Sequence, residues 1–111
     1  MAVMMTDVGR AARGAARYRR YAPDLAGELR LAEAGFPCVV TEISAAGARV
    51  EVAREIADQA LAADLAVVIP SLGQYRARRV WREGAEAAYL FALTDHSMRA
   101  LDALMADRFR A

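Results

Sequence analysis

The sequence contains no lysine, a single cysteine (Cys38) and a single histidine (His96) among 111 residues. One thiol cannot close an internal disulfide, and one Cys with one His cannot supply the ligand set of a zinc site. Without lysine there is no Gly-Lys-Ser/Thr phosphate loop, and the glycines are scattered along the chain. Ser44 lacks the Gly-x-Ser-x-Gly elbow of hydrolases, and the carboxylates stand singly among arginines, so no nucleophile or acid/base pair is marked. The chain reads as a binding domain, not an enzyme, with neither metal nor cofactor. No apolar run approaches the roughly 20 residues of a membrane span. Met1 to Met5 is too short for a signal peptide and follows no basic segment, so a soluble cytoplasmic protein is the expectation. The formal net charge of +1 removes any bulk electrostatic case for nucleic acid.

Arginine and alanine fill the space that these absences leave. All 15 basic residues are Arg, which with the abundant Ala reflects a GC-rich coding bias. Where each Arg lies therefore carries more information than how many there are. Residues 1–22 form an Arg-rich arm: Arg10, Arg13, Arg17, Arg19 and Arg20 have only Asp7 as acidic company, and Pro23 ends the segment. Residues 23–111 form the domain proper.

From Leu25 the period is two. Leu25, Gly27, Leu29 and Leu31 alternate with Ala26, Glu28, Arg30 and Ala32, predicting a half-buried strand, and Glu33-Ala34-Gly35 reads as a turn. A second strand over Phe36–Glu42 buries Cys38, which packs as a small hydrophobe. Ser44 to Gly47 turns the chain into a third strand over Ala48–Val52. Ala53 to Asp64 reads as a short helix or helical loop. Strands follow over Leu65–Ile69, Gln74–Arg82 and Glu86–Leu93, with turns at Ser71-Leu72-Gly73 and Glu83-Gly84. In the fifth strand, strict alternation puts Trp81 with Tyr75, Ala77 and Arg79, opposite Arg76, Arg78 and Arg82. Thr94 or Asp95 caps a last helix, whose stripe of Met98, Leu101, Leu104, Met105 and Phe109 is placed to close one barrel mouth. His96 falls on the surface at its start. The fold class is mainly β: a six-stranded antiparallel barrel with a C-terminal α-helix.

Two features remain: the arginines before the first strand, and Glu42-Ile43-Ser44-Ala45-Ala46-Gly47, an acidic-x-Ser-x-x-Gly run at a strand end. In these the chain resembles the PilZ domain family, bacterial receptors for cyclic di-GMP. The family has an Arg-x-x-x-Arg element before strand one and Asp/Asn-x-Ser-x-x-Gly after strand two. The similarity runs from about Arg17 to the end. It includes Pro37-Cys38-Val39-Val40, Gly47-Ala48-Arg49-Val50 and Leu72-Gly73…Val80-Trp81-Arg82. It implies a nucleotide-binding, signalling domain with Arg17, Arg19, Arg20, Glu42, Ser44 and Gly47 as ligand-binding residues and cyclic di-GMP as ligand. Position 42 is Glu where Asp or Asn is usual. With Asp24-Leu25-Ala26-Gly27 aligned on strand one, Arg20 matches the second motif arginine and Ala16 falls on the first.

Those residue types suit the ligand. A planar Arg fork donates to guanine O6 and N7 together, a carboxylate accepts from N1 and N2, and Arg holds phosphate through charge-assisted bonds. Tyr18 and Tyr21 fix the arm against the barrel. Two further readings stand beside this one. A PilZ-like domain without nucleotide would act through contacts with a protein partner or as a homodimer. A single-strand-binding surface built on Tyr75, Arg76, Arg78, Trp81 and Arg82 is opposed by the alternation, which separates its aromatic from its cationic side chains.

Overall fold

The computed structural model describes residues 18–53 and 64–109. The helix expected over Ala53–Asp64 and the arm up to Arg17 fall almost wholly outside them, as does Arg110. Six strands close into an antiparallel barrel: β1 (Leu25–Leu31), β2 (Ala34–Ser44), β3 (Gly47–Val52), β4 (Leu65–Ile69), β5 (Gly73–Glu83) and β6 (Glu86–Phe91). Around the barrel the order is β1-β2-β3-β6-β5-β4, and a helix, α1 (Asp95–Arg108), follows. Closure leaves no strand edge with unpaired backbone groups along its length.

Alternation builds the interior. Leu29, Val40, Val50, Val67 and Ile69 are fully buried, and Tyr89, the largest fully buried side chain, is accommodated beside Ala48, Ala77 and Ala87. Small residues beside one large ring are how a narrow barrel fills its taper. Cys38 is buried in β2 as its composition predicts.

Helix α1 starts at Thr94, whose Oγ1 accepts from the Ser97 N–H at 3.1 Å. Its apolar stripe turns inward: Leu101 and Met105 are buried, and Met98, Leu104 and Phe109 pack at the edge of the same core. Arg108 Nη1 donates to the Ser71 carbonyl at 2.9 Å, so the helix end is fastened to the β4–β5 turn. His96 is exposed at the helix start.

Two local expectations need correction. The first turn is Ala32-Glu33, one residue earlier than Glu33-Ala34-Gly35, and Ala32 takes φ 53°. Gly35 instead lies within β2 opposite Arg30, where a Cβ would collide with the Glu28 carboxylate. Ser44 to Gly47 forms the expected turn, with Ser44 and Gly47 paired as the ends of β2 and β3 and Ala45-Ala46 at its tip. Finally, the alternation of β5 breaks. The register shifts between Arg79 and Trp81, so Val80 is an extra residue and everything beyond it changes face. Arg79 lies opposite the interior Tyr89, but Trp81 lies opposite Ala88, on the outside of the barrel.

Candidate functional site

The arm reaches the barrel by continuing the lane of β1. Leu25 begins β1 opposite Val40, and Tyr21 rejoins β2 opposite Ile43 through an isolated antiparallel bridge. Both bonds of that bridge are 2.8 Å: Tyr21 N–H donates to the Ile43 carbonyl and Ile43 N–H to the Tyr21 carbonyl. Between the two attachments Ala22, Pro23 and Asp24 stand against Thr41 and Glu42. The surplus residue is absorbed by Pro23, which fixes its own φ, and by Asp24, which takes φ 50°. Aspartate is among the few non-glycine residues that enter this region readily.

A second irregularity aims Glu42. The register of β2 on β3 shifts between Val40 and Glu42, so Thr41 is the extra residue. Val40 and Ile43 both face the core, and Glu42 is directed outward, opposite Arg49 on β3. The bridge brings Arg20 to the same surface, where its Nη1 lies 4.0 Å from Glu42 Oε1. These side chains are 63% and 44% exposed, which limits the pair to roughly 0–1 kcal/mol. The contact marks convergence more than strength. Arg19 is exposed and its guanidinium lies 5.5 Å from the centre of the Tyr21 ring. Arg17 lies outside the described residues.

Ser44 and Gly47 hold the hairpin that presents Glu42. Ser44 Oγ accepts from the Ala46 N–H at 3.1 Å, a local side-chain turn bond. Gly47 passes so close to β6 that a Cβ would collide with the Tyr89 carbonyl oxygen. The motif's serine and glycine therefore both have work within the fold.

Arg49 was not singled out from the sequence as a site residue, although counting back from a two-residue Ala45-Ala46 turn pairs it with Glu42. On the outer surface Glu42, Arg49, Ala88 and Trp81 form one row across β2, β3, β6 and β5. The Arg49 guanidinium stacks over the indole at 5.0 Å, and Trp81 is only 7% exposed despite facing outward. Its Nε1 has no hydrogen-bond partner among the described residues. Trp81 thus shares the outer face with Arg76 and Arg78, which removes the alternation argument against a single-strand-binding surface. Burial of the indole withdraws the stacking platform that such a surface would need.

A pocket of about 510 Å³ opens beside the arm, lined by Tyr21, Ala22, Pro23, Leu25, Ser71, Arg108 and Phe109. Among the described residues no helix is long and apolar enough to cross a membrane.

No family model and no curated protein matches the sequence. Solved structures do. The Bacillus subtilis inhibitor of motility MotI/DgrA is 18% identical with a TM-score of 0.63, over 84% of this chain and 50% of that one. Escherichia coli YcgR in complex with c-di-GMP is 19% identical with a TM-score of 0.57, over 85% of this chain and 46% of that one. The PilZ domain of YcgR with c-di-GMP is 13% identical with a TM-score of 0.63, over 85% of this chain and 91% of that one. The chain thus spans about half the length of the first two and nearly the whole of the isolated domain. The likeness is one of fold: a PilZ-like barrel with its C-terminal helix.

Proposed function

We propose that this domain is a cyclic di-GMP receptor that couples nucleotide binding, through its arm and the Glu42–Gly47 turn, to a partner protein. The observation that carries the reading is the meeting of Arg20 and Glu42 on one outer surface, joined by the Tyr21–Ile43 bridge. A guanidinium and a carboxylate that approach from two segments can address opposite edges of one guanine. Arg19 and Arg49 stand nearby as cations for phosphate. The fold shared with c-di-GMP-bound YcgR supports the same reading. Arg17 belongs to the proposed ligand set through the resemblance alone. Ligand capture by the arm is a conformational switch, in which the change at the arm is what a partner senses. Nothing in this scheme needs catalysis or a cofactor. A cytoplasmic location follows from a signalling nucleotide made and read inside the cell.

Calorimetric titration with cyclic di-GMP tests the proposal. Wild-type protein should bind, and Arg20→Ala should weaken binding by about tenfold or more, the loss of one charge-assisted bidentate contact. Absence of heat up to hundreds of micromolar ligand, on the order of −5 kcal/mol of binding free energy, rejects it.

One observation favours the alternative, a degenerate barrel that contacts proteins or pairs with itself without nucleotide. Ser44 and Gly47 are each explained by the hairpin, so their presence does not require a ligand. Sedimentation separates the two: a dimer indifferent to nucleotide supports the alternative.

A further inference from the structure

The nucleotide-binding reading leaves open how an occupied arm would be sensed elsewhere, and the contacts of Tyr21 bear on that. Tyr21 directly follows the two exposed arginines of the arm. Its backbone is bonded to Ile43, its ring lies near the Arg19 guanidinium, and the same ring meets Phe109 at 5.4 Å with the planes tilted by 50°. Phe109 is the C-cap of α1, and its N–H closes the last helical bond, to the Met105 carbonyl at 2.8 Å. The end of α1 therefore has two anchors: Phe109 on the arm and Arg108 on the Ser71 carbonyl. The 510 Å³ pocket lies between them, lined by both residues and by Tyr21, Ala22 and Pro23. Phe109 packs at the edge of the core, with the pocket on one side and Tyr21 as its aromatic partner.

We infer that the C-terminal turn of α1 reports the state of the arm, with Tyr21–Phe109 as the link between the nucleotide surface and the helix end. This rests on the proposed receptor function. A cyclic dinucleotide whose phosphates draw in Arg19 and Arg20 fixes the residues adjoining Tyr21 and takes Arg19 from its ring. Tyr21 then holds Phe109 more firmly, and the last turn of α1 opens less often. The partner surface implied is the helix end and the pocket mouth.

Hydrogen exchange on the full chain, with and without saturating cyclic di-GMP, tests this when calorimetry is run on the same samples. The amides of residues 105–109 should exchange about threefold more slowly or better with ligand, a local rather than global response. The β6 strand, which carries neither anchor, is the reference for general stabilisation. Phe109→Ala, which leaves the proposed nucleotide contacts intact, should bind within about twofold of wild type yet lose the helix-end response. Binding without altered exchange at the helix end overturns the inference and leaves the receptor function standing. So does a full response in Phe109→Ala. Failure of wild type to bind at all, seen in the calorimetry, removes both. Unchanged protection of β6 in the variant shows that its barrel is folded.

Discussion

Arg20 and Glu42, 22 positions apart in the chain, face each other at 4.0 Å because Tyr21 and Ile43 between them share two backbone bonds. Each charged side chain is a neighbour of a bridge residue, so the bridge fixes the pair and not the reverse. Removing the charges should therefore leave the fold nearly untouched. Glu42→Gln and Arg20→Ala are expected to change stability by less than about 1 kcal/mol in denaturant titrations, the ceiling for an exposed pair. Nucleotide affinity should fall in Arg20→Ala. A loss of several kcal/mol of stability in either variant would show that the pair, not the bridge, holds the arm.

The two other motif positions invert that expectation. Gly47→Ala would drive a Cβ into the Tyr89 carbonyl oxygen, and backbone cannot rotate away as a side chain does. A loss of about 2–3 kcal/mol is expected, with weakened β3–β6 pairing visible in amide exchange. Ser44→Ala deletes only the acceptor for the Ala46 N–H and should cost about 1 kcal/mol. Near-wild-type melting of Gly47→Ala contradicts this account.

Helix α1 is held to the barrel through few side chains, and Met105 is the one with no exposed surface. Met105→Ala should cost about 2–5 kcal/mol, while the partly buried Leu104→Ala should cost less. Thermal unfolding followed by circular dichroism reads both. Equal effects would mean that the helix lies on the barrel without plugging it.

Cys38 supplies a pH prediction. Burial, with a smaller contribution from the nearby Glu28 charge, pushes its thiol up from 9.0 to about 11. The folded state thus prefers the neutral thiol, and the unfolded state ionises first. Stability from this group is complete below pH 9 and is lost as pH rises from 9 to about 11, by at most about 3 kcal/mol. Cys38→Ala should flatten that alkaline decline. In the native protein at neutral pH the thiol should resist alkylating reagents and react promptly in denaturant. Rapid modification of the folded chain would refute the assignment.

The strand sequence was legible because the two faces of a small barrel impose a period of two, and this holds within each strand between its bulges. What escaped was every place where one residue is added. The bulges at Thr41 and Val80 carry no compositional mark, both being β-branched residues that suit a regular strand, yet the one at Val80 moves Trp81 to the opposite surface. The first turn was misplaced for a related reason. Glycine signals a turn by its conformational freedom, but Gly35 lies within β2 beside the Glu28 carboxylate, and Ala32 accepts the positive φ. Within the candidate site, the resemblance identified Arg20 and Glu42. Their actual juxtaposition depends on Asp24 and on a bridge that no periodicity announces. Arg49 required the exact hairpin register before it could be paired with Glu42.

The rung at Tyr21 has a consequence for energetics. Strand β2 ends at Ser44 and bends away at Ala45, so a segment running beside it soon meets no further ladder on which to zip. Docking by backbone therefore saturates at once, at two bonds worth about 1–3 kcal/mol together. A ligand present at about 100 times its Kd stabilises the bound state by about 2.7 kcal/mol, comparable to such a tether. A backbone attachment of this size can be won or lost at signalling concentrations, whereas that of an extra full-length strand could not.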